Sequence, residues 1–329
     1  MLRVIAGWSL FVIASCDAAA PETPTVEPGP NATPATAPGE PTEARPESEA
    51  ATPVEAPTKP SFVEELNLRK PKADAIDGAV SLFVKHFTAA TPAVDEAARL
   101  EAIQALFAFT ERALEDPAAS GLLDSDEIYA AACRSVGHCD AGDPTPAAVA
   151  KVEALRDSGV TFAYAGEGTL VVAADYGRIA EKIRPGLSAL ARTYLETIDF
   201  QGRKVDERYD EPGFVGDADD MAEAIVRWET LGKRDPAYTK VAREHTDALA
   251  TQYLRICDQA EYQEPECIVT KRLRGSYQRS VREQATSRYQ PAVAGFLAEM
   301  KRRKYRADSE TLERVIESQL SSVTAAKSE

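Results

Sequence analysis

The residues best equipped for chemistry are five cysteines, Cys16, Cys133, Cys139, Cys257 and Cys267, and three histidines, His86, His138 and His245. Four of the cysteines form two local pairs, Cys133 with Cys139 and Cys257 with Cys267, each across a helix end and a polar turn. An even set of closely spaced thiols points to disulfides in an oxidising compartment, although spacing alone does not fix the connectivity. The local pairings Cys133–Cys139 and Cys257–Cys267 are favoured because each closes a short loop. The alternative is a zinc site built from Cys133, His138, Cys139 and a later cysteine. That set departs from the usual Cys-x-x-Cys spacing, so no metal and no cofactor is expected.

No other arrangement of reactive side chains makes a recognisable site. The chain has no His-Glu-x-x-His pair, no Gly-x-Ser-x-Gly elbow and no Ser-x-x-Lys pair. Glu244, His245 and Asp247 share a predicted helix, but neighbours at i and i+1 do not share a face, so His245 reads as a surface histidine. The run Asp206 to Glu211 reads as a solvated loop. Asp217-Ala218-Asp219-Asp220 reads as the start of a helix, where the dipole favours negative charge. Neither run has the Asp-x-Asp-x-Asp-Gly form of a calcium loop. No catalytic residue is therefore assigned.

Charge is more informative. The chain carries a formal charge of −15, which disfavours a nucleic-acid partner. The excess is uneven, for residues 268–306 hold eleven Lys or Arg and only two acidic residues. Lys301, Arg302, Arg303 and Lys304 form its densest part. Such a cluster could contact an anionic surface, lipid headgroup or cell-wall polymer, or could simply pair with acidic helices of the same chain.

These groups must be carried by helices. Residues 61–329 are enough for one large domain or two small ones, with a possible sub-boundary near residues 159–175. Ile76, Val80, Phe83, Val84 and Phe87 recur at helical spacing, as do Ala98, Ile103, Leu106, Phe107 and Leu114 after Thr91-Pro92. Ser125, Thr145-Pro146, Asp175, Asp217 or Asp219, and Asp235-Pro236 are predicted helix starts. Further helices are expected over Ile268 to Tyr289, Pro291 to about Arg303, and Ser309 to Leu320. Val160, Phe162 and Tyr164 alternate with small or polar residues, and so do Leu170, Val172 and Ala174 beyond Gly166-Glu167-Gly168. That pattern predicts a β-hairpin, which needs helices to lie against. The expected fold is mainly α: an irregular multi-helix domain with one small hairpin, about residues 160–174, packed on helices.

The N-terminal part is of another kind. Arg3 precedes an apolar run from Val4 to Ile13, too short at about ten residues to span a bilayer. The run closes on Ile13-Ala14-Ser15-Cys16, which resembles the lipobox of bacterial lipoproteins. The resemblance implies a signal peptide over residues 1–15, acylation (palmitate among the chains) of Cys16, and a membrane anchor made stable by more than one chain. Residues 17–60 contain eleven prolines among 44 residues, with eight acidic residues against two basic. This composition predicts a disordered, extended tether, reaching ~130 Å at most.

Gly166-Glu167-Gly168 leading to Asp175-Tyr176, and Arg227-Trp228-Glu229 within a helix, are similar to a loose group of uncharacterised exported bacterial proteins. The similarity covers roughly residues 162–306 and implies a mostly helical fold. The expected protein is an envelope lipoprotein facing the periplasm or exterior, whose helical domain binds or scaffolds an envelope protein or cell-wall polymer. The alternative is an envelope hydrolase acting on cell-wall material.

Overall fold

Helix starts fall where short polar side chains precede the apolar periods. The computed structural model describes residues 61–88, 95–115, 121–137, 142–164, 170–206, 209–210, 213–214, 216–256, 258–259 and 266–325. The lipobox with Cys16, the tether, Pro92, His138, Cys139, the Gly166-Glu167-Gly168 turn and Cys257 lie outside them. Ser61 and Glu64 close a capping box on α1 (Phe62–Asn67), the Ser61 amide donating to Glu64 Oε2 at 2.7 Å. α2 (Ile76–Thr88) and α3 (Glu96–Glu115) follow. On α3 the buried stripe runs through Leu100, Ile103, Leu106 and Phe107, while Ala98 is exposed and Arg99 is buried instead.

α4 (Asp126–Val136) begins after Ser125, whose side chain makes no cap hydrogen bond. α5 (Pro146–Ser158) starts on Thr145, whose hydroxyl accepts from the Ala148 amide at 3.3 Å, and ends at Gly159. Gly159 has φ +99°, and a Cβ there would lie 2.5 Å from Ile179 Cγ1, so both backbone and packing demand glycine. The predicted hairpin then follows as β1 (Val160–Tyr164) and β2 (Leu170–Ala174), antiparallel with Phe162 opposite Val172. Val160 belongs to the main core, whereas Phe162 and Leu170 join a smaller cluster with Ile128, Ala132, Cys133, Ala148 and Val152. One hairpin face therefore serves two cores.

α6 (Tyr176–Ile183) is capped by Asp175, and α7 (Ala189–Lys204) by Ser188. Two short strands, β3 (Tyr209–Asp210) and β4 (Gly213–Phe214), precede α8 (Ala218–Arg234), which Asp217 rather than Asp219 caps. Asp235-Pro236 opens a 3₁₀ turn leading to α9 (Thr239–Arg255). Helices α8 and α9 pack closely, since a Cβ at Gly232 would lie 2.8 Å from the Ala242 Cβ.

The chain departs from expectation after α9. A three-stranded antiparallel sheet forms from β5 (Asp258–Gln259), β6 (Glu266–Ile268) and β7 (Arg306–Asp308), with Cys267 opposite Gln259 and Ala307. The expected helix from Ile268 to Tyr289 is shorter at both ends: it stops at Glu283, where Gln284 leaves the helical conformation, and the sheet takes its start. Ile268 pairs with Arg306, and the Val269 amide donates to the Tyr305 carbonyl at 3.0 Å. These backbone groups are committed to the sheet before α10 (Lys271–Glu283) begins. α11 (Gln290–Arg302) and α12 (Ser309–Ala325) complete the fold. It is mainly α, with the hairpin packed on helices and two further small β elements. Among the described residues no helix is long and apolar enough to cross a membrane.

Candidate functional site

Met221, Ile225, Trp228 and Leu231 are buried along one stripe of α8, as their spacing predicts. Trp228 is wholly buried and stacks on His245 of α9, with ring centroids 4.0 Å apart and planes 8° apart. Gln201 of α7 joins them, its Oε1 accepting from Trp228 Nε1 at 2.8 Å and from His245 Nδ1 at 3.1 Å. Its amide nitrogen donates to Asp206 at 3.3 Å, which fixes the orientation of the carboxamide. Burial lowers the His245 pKa to about 4, so the ring is neutral at neutral pH. Tyr194 lies edge-on to Trp228 at 5.8 Å, and burial pushes its phenol up to about 12 against the opposing hydrogen bond with Gln104.

His245 is thus half-buried against Trp228 and not a surface histidine. It lies four residues from both Val241 and Leu249, which are buried, so it falls on the inward stripe of α9. That spacing was the signal for its burial, and acidic neighbours at i−1 and i+2 concealed it.

The Arg227-Trp228-Glu229 motif divides three ways. Arg227 pairs with Glu223 and lies over the Phe200 ring at 4.1 Å, while Trp228 points inward. Glu229 Oε1 accepts from Ser287 Oγ at 3.2 Å and from the Arg288 amide at 3.0 Å, just before α11. All three roles hold helices together. A second polar cluster does the same elsewhere: Glu96 accepts from Ser188 Oγ at 2.9 Å and Tyr238 OH at 3.1 Å. Buried Arg99 donates to the Gly186 carbonyl and lies over Phe87. Glu111 has a raised pKa, chiefly from burial, with the Tyr176 hydrogen bond opposing and Glu115 adding to it. Its Oε1 accepts from Tyr176 OH at 2.7 Å, and Tyr176 in turn packs on Phe107.

Of the cysteines, Cys133 is buried in the smaller core and disulfide-bonded. Cys267 is buried in the central strand of the three-stranded sheet. Their expected partners Cys139 and Cys257 lie outside the described residues, as do Cys16 and His138. Among the described residues no group of three or more His, Cys, Asp or Glu is placed to hold a metal ion.

The basic stretch divides into two populations. Arg279 pairs with Asp219, Arg288 with Asp247, and Arg282 with Glu283. Arg302 and Arg303 both reach the partly buried Glu299, the latter at 2.9 Å. Of these, only Arg279 and Arg288 pair with acidic residues of other helices, α8 and α9; the rest pair locally, along α10 or at the end of α11. Lys301 and Lys304 are exposed and make no ion pair among the described residues. Lys271 and Arg272, in the first turn of α10, are likewise exposed and unpaired.

The sheet brings these last four to one end of the α10–α11 pair. Val269 is bonded to the Tyr305 carbonyl, and the Arg274 guanidinium lies 4.2 Å from the centre of the Tyr305 ring. Lys304 and Tyr305 themselves adopt positive φ, 55° and 65°, with the Tyr305 amide donating to the Met300 carbonyl at 2.6 Å. Two consecutive non-glycine residues in this region store strain, held by that hydrogen-bonded wrap at the helix end. Beside them an open depression of about 320 Å³ is lined by Gln278, Val281, Ala294, Leu297, Ala298, Lys301 and Tyr305. The result is a basic ledge with an apolar margin. The sequence singles out its 301–304 portion and holds Lys271, Arg272 and Arg274 only as part of the wider basic stretch; that they meet at Tyr305 is not legible there, because β6–β7 pairing is what joins the two segments.

No family model, curated protein or solved structure matches the chain. The likeness to exported bacterial proteins therefore rests on the residues quoted for it alone.

Proposed function

We propose that this chain is a lipid-anchored protein of the bacterial cell envelope, whose helical domain binds or scaffolds another envelope component. The observation that carries the binding part is how the polar groups are used. Gln201, Glu229 and Glu96 spend their hydrogen bonds between helices. Those cations of the basic stretch that are exposed and make no ion pair among the described residues gather on the ledge. Groups committed to holding helices are poorly available for proton transfer, whereas outward unpaired charge suits contact. The anchored part is supported by the Ile13-Ala14-Ser15-Cys16 motif and the proline-rich acidic stretch after it. The disulfide at Cys133 fits an oxidising compartment.

Mass analysis of the N-terminal peptide from native membranes tests the anchor. The expected result is a diacylglyceryl and acyl mass on Cys16, and an unmodified Cys16 would remove it. Crosslinking from those membranes, with Cys16→Ala as the unanchored control, tests the binding part. Purified protein that solubilised cell-wall material would overturn the scaffold in favour of a hydrolase.

A further inference from the structure

We propose that the basic ledge at the α10–α11 end docks on anionic phospholipid headgroups, giving the domain a second membrane contact besides the N-terminal lipid. The membrane setting rests on the anchored reading above, but the contact is carried by the domain alone.

Cations from two distant segments converge there. Lys271 and Arg272 open α10, and Lys301 and Lys304 close α11, with the Val269–Tyr305 backbone bond and the Arg274–Tyr305 contact fixing one segment against the other. Lys301 sits in the last turn of α11, where the helix dipole favours a cation, but Lys271 and Arg272 are placed against theirs. Cations in a first helical turn oppose the helix dipole, and α10 carries two there, Lys271 and Arg272, with no acidic residue beside them in that turn. Lys304 also occupies a left-handed backbone position that L side chains adopt at a cost. With no ion pair among the described residues, these four lysine and arginine side chains meet solvent with their charge unspent.

The surroundings select the ligand. The neighbouring depression is open, and its lining mixes the partly exposed Val281, Leu297 and Tyr305 with Lys301. Partly exposed aliphatic and aromatic side chains beside Lys301, with Arg274 on Tyr305, suit the boundary between headgroups and acyl chains. The charge of the whole chain is −15, so an anionic leaflet repels most of the molecule and attracts this end. Each cation brought to such a leaflet gives about a five-fold gain in partitioning. The ledge would therefore orient the domain as well as hold it.

The test uses the chain from residue 16 onward carrying Cys16→Ala, so that no lipid contributes. Co-sedimentation is measured with vesicles of equimolar phosphatidylglycerol and phosphatidylcholine, and with vesicles of phosphatidylcholine alone. Binding to the anionic vesicles only, lost in about 0.5 M salt, is expected. Adding Lys271→Glu, Arg272→Glu and Lys301→Glu should weaken it by more than about ten-fold. The milder Lys271→Gln, Arg272→Gln and Lys301→Gln set should weaken it less, and Lys271→Arg with Lys301→Arg should preserve it. Thermal melts of each variant separate lost binding from lost folding. No binding to anionic vesicles, or equal binding by a folded charge-reversed chain, overturns the proposal. So does retention by an anionic wall polymer without retention by vesicles. Because Cys16 is replaced throughout, an unacylated native Cys16 would remove the anchor and leave this result standing.

Discussion

The Trp228–Gln201–His245 centre and the α10–α11 ledge use similar chemistry to opposite ends. Both bring an aromatic ring against a nitrogen-bearing side chain, His245 on Trp228 and Arg274 on Tyr305. In the centre, burial strips the histidine of its proton and one glutamine accepts from both rings, so the polar groups act as a joint between α7, α8 and α9. At the ledge, the cations are exposed to solvent and strain is concentrated in two residues at a helix end. Burial decides whether such a pair is architecture or surface. Stability should therefore be concentrated at the centre and binding at the ledge.

Mutations can break that contrast, and the largest effect belongs to Trp228→Ala. It empties a fully buried site and should destabilise the fold by about 3–5 kcal/mol, read from denaturant unfolding. Gln201→Leu keeps the volume but strands two donors, and should cost about 2–4 kcal/mol in the same assay. If either change were neutral, the centre would not be the joint described.

The next effect is a pH dependence. Folded His245 titrates near 4, below the ordinary histidine value of 6.5, so the unfolded chain binds the extra proton between those values. Its contribution is complete above about pH 6.5 and declines as pH falls toward 4, with a slope of at most about 1.4 kcal/mol per pH unit. His245→Phe retains the stacked ring and should flatten the stability curve between about pH 5 and 6.5, above the range where carboxylates dominate. An unchanged slope would assign the dependence to other groups.

The smallest effect belongs to the ledge. Reversing Lys271, Arg272 and Lys301 to Glu should alter stability by no more than about 0.5 kcal/mol, while vesicle binding collapses. A large loss of stability would mean that these cations serve the fold, and the contrast between the two regions would fail.

Much of the framework could be read locally. Thr145, Asp175 and Asp217 cap their helices as expected because an N-cap depends on a side chain and an amide two or three residues away. The hairpin was legible because Val160, Phe162, Leu170 and Val172 repeat with period two. Long-range pairing was not. Strands β5, β6 and β7 are two or three residues each, too short to show a period, and they cut into the expected helix from Ile268. His245 reads as a surface residue, yet a carboxamide supplied by α7 lets it sit inward, and Gly186 likewise supplies a carbonyl to the buried Arg99. The ledge was half visible for the same reason, since residues 271–274 reach residues 301–305 only through the sheet.

The hairpin has a bearing on folding cooperativity. Val160 is seated in the main core and Phe162 and Leu170 in the smaller one, all on one face of a single two-stranded unit. Neither cluster can open without tilting strands the other needs, so reducing the Cys133 disulfide should loosen both together. Hydrogen exchange would then report α4, α5 and the hairpin releasing their amides as one block with the α6 segment behind Gly159, and not as a separately melting lobe.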